Sequence, residues 1–600
     1  AMGLIAATVY AQIWSLFYKV GILANLVLLL ICAISLFYGR GQLSYMMQIQ
    51  KKKATVLKGI GFAIVVLIWA YCTSRGYMHY DSDLYHAQSI RWIEEYGIVK
   101  GLGNIHVRFA YNSSFFALSA LYSMPYIFGQ SMHSVNGLIA LILSVEALRI
   151  VHAWKRKKLL LSDFARAAAL FYLTLIYGDI MAPASDFAIM CTVFYIIIKW
   201  LSQLEDEQKA DNVTPYALLC VAGVYAVSLK LTAGLILILV LKPAIMLIRQ
   251  KRWKEIILYL CMGIGVITPW LIRTVWISGY LLYPFPALDI FAVDWKIPAQ
   301  AAALDAAEIK TWGRGLNNAA LVNMPMTEWF PQWFQTMLPK LGKLFIIADI
   351  ISIILGFPML IIALFRRKAD KIKDIGLVWL AIAASYLFWQ LSAPLLRYGY
   401  AYILLLIALT GGMMWTAICI KIELADTESM DRILCILLLM LGFVKLWSLG
   451  GYIVTQSNLP YYVAQQNYGS YELDTYEVNG VTFYYPVSGD RVGYDAFPAI
   501  PRKTPMNRPV PPTTTAAKII AVIVILSSSY INPENPKKAI AISPAVTSTI
   551  GVPLKDSVIS LYSIFSRIPA INTIETRNPT AVANPLITPV RSPIPVLMLS

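Results

Sequence analysis

Charge is scarce in this chain: Asp, Glu, Lys and Arg together make up 14% of its 600 residues, against 58% apolar, and the mean hydropathy is +0.63. So little charge excludes an ordinary soluble domain and points to a chain whose solvent is a bilayer. Cysteine is sparse as well. Cys32, Cys72, Cys191, Cys220, Cys261, Cys419 and Cys435 lie in or beside apolar runs, without spaced pairs in polar loops, which excludes a disulfide scaffold and a zinc site. Acidic residues are outnumbered, giving a net charge of +17. The basic residues sit in short loops between apolar runs, where they fix topology, so no nucleic acid is expected as a partner. The opening Ala-Met-Gly is not part of a basic region followed by a cleavage site, and no removable signal peptide is expected.

Long apolar runs are abundant. They fall at about 20–38, 56–73, 134–150, 164–180, 185–201, 214–229, 231–248, 257–276, 343–365, 376–391, 398–420 and 433–450, with a partial run at 2–17. The expected fold is therefore all-α and polytopic, with about 12–13 transmembrane helices. Closed barrels are excluded because the runs are continuous rather than alternating. The basic blocks Arg40 with Lys51–Lys53, Lys155–Lys158, Arg249 to Lys254 and Arg366 to Lys373, with the weaker loops 202–213 and 421–432, are expected to face the cytoplasm. That sidedness holds only if the apolar stretch 113–128, interrupted by Pro125, does not cross and forms an interfacial or re-entrant helix on the outer face.

The transmembrane domain is placed at 1–450. It contains a first outer loop, 74–133, with juxtamembrane helices, and a second large outer loop, 277–342, whose AQAAALDAAEIKTW reads as helical. In the first loop, 83–96 is amphipathic, with Asp83, Gln88, Arg91, Glu94 and Glu95 on the wet side. Residues 451–500 read as a small extracytoplasmic segment with a β-hairpin turning at Asn479-Gly480. Residues 501–600 are a low-complexity tail, a disordered stalk or a reading-frame artefact.

Candidate site residues gather at the outer ends of the runs. Asp81 and Asp83 head the amphipathic segment; either caps its helix, or one of them acts as a base or metal ligand. Asp179 and Asp186, in IYGDIMAPASDFAIM, close one run and open the next, with loop solvation for Asp179 and capping by Asp186 as the plainer alternatives; a cap at Ser185 would free Asp186. Lys230 stands between two apolar runs with almost no loop around it, where an ammonium needs a partner. Arg273 and Arg397 are the other outer cations; either of them snorkels to headgroups, or with Lys230 they take a lipid phosphate. His86, Arg108 and Asn112 are further substrate-contact candidates. The spacing of His86, His106 and His133 matches no zinc signature, and His79 adds nothing firmer.

Several of these stretches resemble the GT-C superfamily of polyprenyl-phosphate-dependent glycosyltransferases, which includes transferases that add mannose to protein or aminoarabinose to lipid A. YDSDLYHAQSIRWIEEYGIV is similar to that family's acidic first outer loop, YNSSFFALSALYSMPYIFGQ to its aromatic juxtamembrane helix, SDFAIM to the acidic start of a later helix, YAVSLKLTAGLILILVLKP to its lysine-glycine helix break and APLLRYGYAYILLL to its late arginine-tyrosine helix. The chain departs from the family in having Asp-Ser-Asp for an Asp-Glu pair, Leu231 for the glycine after the lysine, and two extra spans before the loop. It also resembles a group of large bacterial multi-spanning membrane proteins without an assigned activity. The GT-C resemblance implies Asp81 or Asp83 as the base or a metal ligand, Lys230 on a donor phosphate, and Arg397 and Tyr398 on phosphate or sugar.

The expected function is transfer of a sugar from a polyprenyl-phosphate donor to a glycan, lipid or protein acceptor, on the extracytoplasmic face of a bacterial cytoplasmic membrane. A divalent cation, Mg or Mn, is the one cofactor that chemistry admits. The competing expectations are a lipid-linked glycan transporter or flippase and an envelope polysaccharide polymerase or ligase.

Overall fold

The computed structural model describes residues 1–53, 55–156, 158–365, 370–421, 447–455, 464–478 and 480–502, with single positions at 432, 436 and 440. The chain is mostly helical, and its described strands are the pair Leu473–Val478 and Val481–Pro486. Among the described residues nine helices are long and apolar enough to cross a membrane: Ile22–Tyr45, Val56–Ser74, Val135–Arg156, Ser185–Glu205, Leu231–Arg249, Trp253–Ser278, Lys340–Ile362, Lys373–Leu391 and Tyr400–Ile418. The expected count was higher because three apolar runs fold as shorter helices. Met2–Ser15 has 14 residues, Leu161–Ile176 has 16 and Val213–Leu229 has 17. The run at 433–450 lies almost wholly outside the described residues, as do Arg366–Lys368, Lys157, Asn479 and the tail from 503.

Ser185–Glu205 is the central helix, with buried side chains on every face. It packs against Val135–Ala147, Leu161–Ile176 and Val213–Leu229. A helix apolar all round is stable only where every face meets other side chains or lipid. Ile22–Lys53 takes the second option, leaving Leu26, Leu29, Leu30 and Phe37 exposed. Close helix contact needs small residues: a Cβ on Gly356 would lie 2.4 Å from the Trp379 ring, whose Nε1 donates to Thr410 Oγ1 at 2.9 Å.

The helix ending at Leu229 breaks at Lys230, which is extended at φ −161° and ψ 133°. The chain then runs as a ten-residue 3-10 helix, Leu231–Val240, an unusual length for that hydrogen-bond pattern. The break points the Lys230 side chain sideways at the end of the central helix rather than along its own helix.

The loop 74–133 is tied into the bundle. Residues 114–121 are all buried, and the helix Ser114–Tyr122 spans only nine residues, about 14 Å at 1.5 Å each, far short of the roughly 30 Å of a bilayer core. Ser113 caps it, accepting from Phe115 N at 3.3 Å and donating to Leu229 O at 2.8 Å. Met124, at φ 42°, then separates it from Pro125–Phe128. Ser114–Tyr122 is enclosed by Met2–Ser15 and Ala87–Tyr96, whereas Pro125–Phe128 leaves Tyr126, Ile127 and Phe128 exposed. The expected wet side of 83–96 is covered too, by residues 464–502. Gln88 Nε2 donates to Ala496 O at 2.8 Å, Arg91 Nη1 to Asp495 O at 2.6 Å, and Tyr494 Oη to Glu94 Oε2 at 2.5 Å. Strands Leu473–Val478 and Val481–Pro486 form an antiparallel hairpin within that covering segment, in register Val478 with Val481.

The loop 277–342 carries helices Ala299–Gly313 and Met326–Thr336. Asp305 on the first is buried, accepting from Tyr111 at 2.5 Å and Tyr283 at 3.0 Å and facing Arg108 at 3.1 Å, so the loops 74–133 and 277–342 are joined.

Candidate functional site

One guanidinium gathers the site. Arg397 lies in the short turn Leu396–Tyr398, after Pro394 has stopped the preceding helix and before the helix that begins at Tyr400. Its Nη2 pairs with Asp81 Oδ2 and donates to Tyr398 Oη at 3.1 Å. Its Nη1 lies 3.2 Å from His79 Nδ1, and its Nε lies 3.5 Å from Asp186 Oδ2. With Nδ1 accepting from arginine, His79 carries its proton on Nε2, which faces Asp179 Oδ2 at 3.9 Å. Lys230 Nζ lies 2.5 Å from Asp186 Oδ1 and 3.2 Å from the centre of the Tyr398 ring, adding a cation–π contact to the ion pair.

Five separate stretches thus meet at one point. Two of the candidate capping residues do no capping. Asp81 makes no side-chain cap, and the helix at Asp186 starts from Ala184, also without one. Their carboxylates are instead the counter-charges of Arg397 and Lys230. Burial works to raise the Asp81 pKa, but the Arg397 guanidinium beside it prevails and holds the carboxyl below its ordinary value. Burial works to lower the Arg397 pKa, but Tyr398, Asp186 and Asp81 around the guanidinium prevail and raise it.

A cavity of about 310 Å³ opens beside this cluster. His79, Asp179 and Arg397 supply its polar wall, while Tyr77, Tyr80, Tyr172, Phe187 and Tyr400 supply an aromatic one. Sugar rings pack their apolar faces on aromatic side chains, and a charged group at the end of such a pocket fixes orientation. His79 has no role in the sequence reading, and these rings are not placed there around a cavity. The available signal was His79 standing two positions before Asp81 in the same loop.

The remaining candidates lie elsewhere. Asp83 turns away from Asp81: its Oδ1 accepts from Gly469 N at 3.1 Å and its Oδ2 from Tyr471 Oη at 2.8 Å, while its backbone carbonyl accepts from Val492 N and Gly493 N. It fastens the covering segment 464–502. His86 is buried against Tyr85, with ring centres 4.4 Å apart, and burial outweighs nearby carboxylates to push its pKa down to about 4. It is neutral at pH 7. Arg108 pairs with Asp305 and lies 4.8 Å from the Trp312 ring, so it joins the loops 74–133 and 277–342. Arg273 is buried, donating to Asn112 Oδ1 at 3.1 Å and to Ser15 Oγ, so it holds the first helix to the loop rather than joining the cluster. His133 is buried with Glu94 and Tyr468.

Among the described residues no group of three or more His, Cys, Asp or Glu side chains is arranged to hold a metal ion. Asp81 and Asp186 both already face cations, so the cluster's donor set does not suit a divalent ion.

The basic block at 155–158 and the cluster are separated by the length of helix Leu161–Ile176. Asp163 and Arg166 pair with each other at its start, while Asp179 and His79 lie past its end. A multi-pass membrane protein with its polar site at one end of the bundle is the class these observations define.

Residues 1–404 match the family described as a domain of unknown function (DUF8201), and the chain belongs to it. The matched span contains His79, Asp81, Asp186, Lys230 and Arg397, and stops before the covering segment 464–502. No curated protein matches the chain.

Proposed function

We propose that the protein is a membrane glycosyltransferase that moves a sugar from a polyprenyl-phosphate donor to a glycan, lipid or protein acceptor on the extracytoplasmic face of a bacterial cytoplasmic membrane. The observation that carries this reading is the meeting of Asp81, Arg397, Asp186 and Lys230 beside a cavity with an aromatic wall. The GT-C resemblance of the same stretches supports it.

In this reading the donor phosphate takes Lys230 and Arg397 as its counter-cations, replacing part of their pairing with carboxylate. The acceptor hydroxyl is held by Asp81. A bond forms from that oxygen to the anomeric carbon as the bond from carbon to phosphate oxygen breaks, the proton passes to Asp81, and polyprenyl phosphate leaves with inversion. Asp81 is a weak base while Arg397 is on it. Once Arg397 turns to phosphate, the carboxylate loses its closest positive charge and its pKa rises, so donor binding switches the base on. Phosphate is a good leaving group, and positioning with charge neutralisation supplies most of the rate.

The test is binding of a short-chain polyprenyl phosphate to the full chain in nanodiscs, followed by native mass spectrometry. Lys230→Met and Arg397→Gln should each weaken binding about tenfold or more, the loss of one charge-assisted contact. Unchanged affinity in both variants would remove the donor site from this cluster.

A lipid-linked glycan transporter is the second reading, and one observation favours it. Asp349, inside the span Lys340–Ile362, is fully buried, and neither carboxylate oxygen has a hydrogen-bond partner among the described residues. Acidic groups within spans often belong to ion or substrate pathways. Movement of donor across vesicles without sugar release would decide for transport.

A further inference from the structure

Arg491 is held beside Tyr80 and Tyr471 by aromatic side chains rather than by a carboxylate. Its guanidinium lies 4.8 Å from the centre of the Tyr80 ring and 4.9 Å from that of Tyr471. Tyr80 also lines the cavity. Both rings are anchored at their hydroxyls, Tyr80 to Asp490 Oδ1 and Tyr471 to Asp83 Oδ2. The backbone beside Arg491 is anchored as well. Val492 N and Gly493 N donate to Asp83 O at 2.9 and 3.0 Å, and Gly493, at φ +67°, packs so closely that a Cβ would lie 2.4 Å from Gly469 O.

The result is an exposed guanidinium held in place, which forms no ion pair among the described residues. Asp490, the nearest acid in sequence, is engaged by the Tyr80 hydroxyl and lies 4.0 Å from Arg502 Nη2. Stacked between two rings, Arg491 keeps the edge of its planar fork for a ligand, and a fork of N–H donors matches an oxyanion. Such a group pays little ordering entropy on binding because the rings have already fixed it.

We propose that Arg491 is the specificity-determining contact for an acidic acceptor, taking an oxyanion, carboxylate or phosphate, on the glycan that enters beside Tyr80. This rests on the glycosyl-transfer reading of the cavity and adds the chemical class of the acceptor. It also gives the covering segment 464–502, which lies past the matched family span, a role in substrate choice.

The test uses the full chain in nanodiscs of phosphatidylcholine, which has no net charge to compete. The probes are methyl glucuronide and glycerol 3-phosphate, with methyl glucoside and glycerol as their neutral counterparts, and affinities are measured by ligand-observed NMR titration. At least one acidic probe should bind about tenfold more tightly than its neutral counterpart, a preference that Arg491→Gln removes and Arg491→Lys partly keeps. Which acidic probe shows the preference separates a uronic acid from a phosphorylated glycan. Equal binding of acidic and neutral probes by the unaltered protein, or a preference that survives in Arg491→Gln, overturns the proposal. The preference is read from binding without turnover, so a failed sugar-transfer reaction and a failed acceptor site register in different measurements.

Discussion

The pairing of Lys230 with Asp186 can be measured as an energy. Asp186 is 7% exposed at its side chain and Lys230 26%, with Nζ and Oδ1 2.5 Å apart. Removing one partner from a buried pair costs about 3–5 kcal/mol, and the partial exposure of Lys230 brings the expectation for Asp186→Asn down to about 2–3 kcal/mol. Lys230→Met should cost less, about 1–2 kcal/mol, because Asp186 keeps Arg397 at 3.5 Å from its other oxygen. The double variant should then be more stable than the sum of the two losses predicts, by a coupling of about 1–2 kcal/mol. Reversible unfolding in mixed detergent micelles, titrated with sodium dodecyl sulfate, gives all four corners of the cycle. A coupling below about 0.5 kcal/mol, the scatter expected for independent sites, refutes the contact.

Three further outcomes are expected. Asp83→Ala removes two hydrogen bonds to the covering segment, about 1–3 kcal/mol in total, and should raise amide hydrogen exchange at 466–471 and 490–494 while leaving 226–232 unchanged. His86 and His106 are both pushed down to about 4, first of all by burial. Their folded pKa values lie below the ordinary 6.5, so the unfolded chain takes up the protons first; stability should be full above pH 6.5 and fall as pH drops toward 4, by about 1.4 kcal/mol per pH unit for each group. Unfolding measured across that window in His86→Phe should show a shallower slope than in the unaltered protein; the same slope in both would exclude His86 from the effect. Asp349→Leu removes a buried carboxylate whose oxygens lack hydrogen-bond partners among the described residues, and should raise the melting temperature in detergent, with a fall in that temperature showing that the carboxylate does have a stabilising partner.

The parts of the site that could be read from the sequence were those where a charge interrupts an apolar run. Lys230 could not sit at a helix break among apolar neighbours without an anion nearby, but that this anion is Asp186, at the start of Ser185–Glu205, emerges only from the structure. Arg397 was visible for the same reason. Asp81 and Asp83 were not separable, because a spacing of two does not say which carboxylate faces inward; the π-helical turn Ser82–His86 and the anchoring of Asp83 by Gly469 and Tyr471 decide it. Contacts with partners about 400 positions away leave no periodic trace. The polar face of 83–96 therefore looked wet, although residues 493–499 cover it. The shorter helices also deceived. Apolar runs at 2–17, 164–180 and 214–229 carry enough hydrophobicity for a span, but their helices stop at Ser15, Ile176 and Leu229.

Sugar release from a labelled polyprenyl-phosphate donor in proteoliposomes, compared between Asp81→Asn and Asp83→Asn, is the most direct measurement of what the cluster does. Loss of the base should slow release by about 10²-fold or more in Asp81→Asn. Asp83→Asn, which alters only the anchoring of the covering segment, should stay within about tenfold of the unaltered protein, the loss of one charged hydrogen bond. An Asp81→Asn protein that releases sugar at the unaltered rate contradicts the assignment.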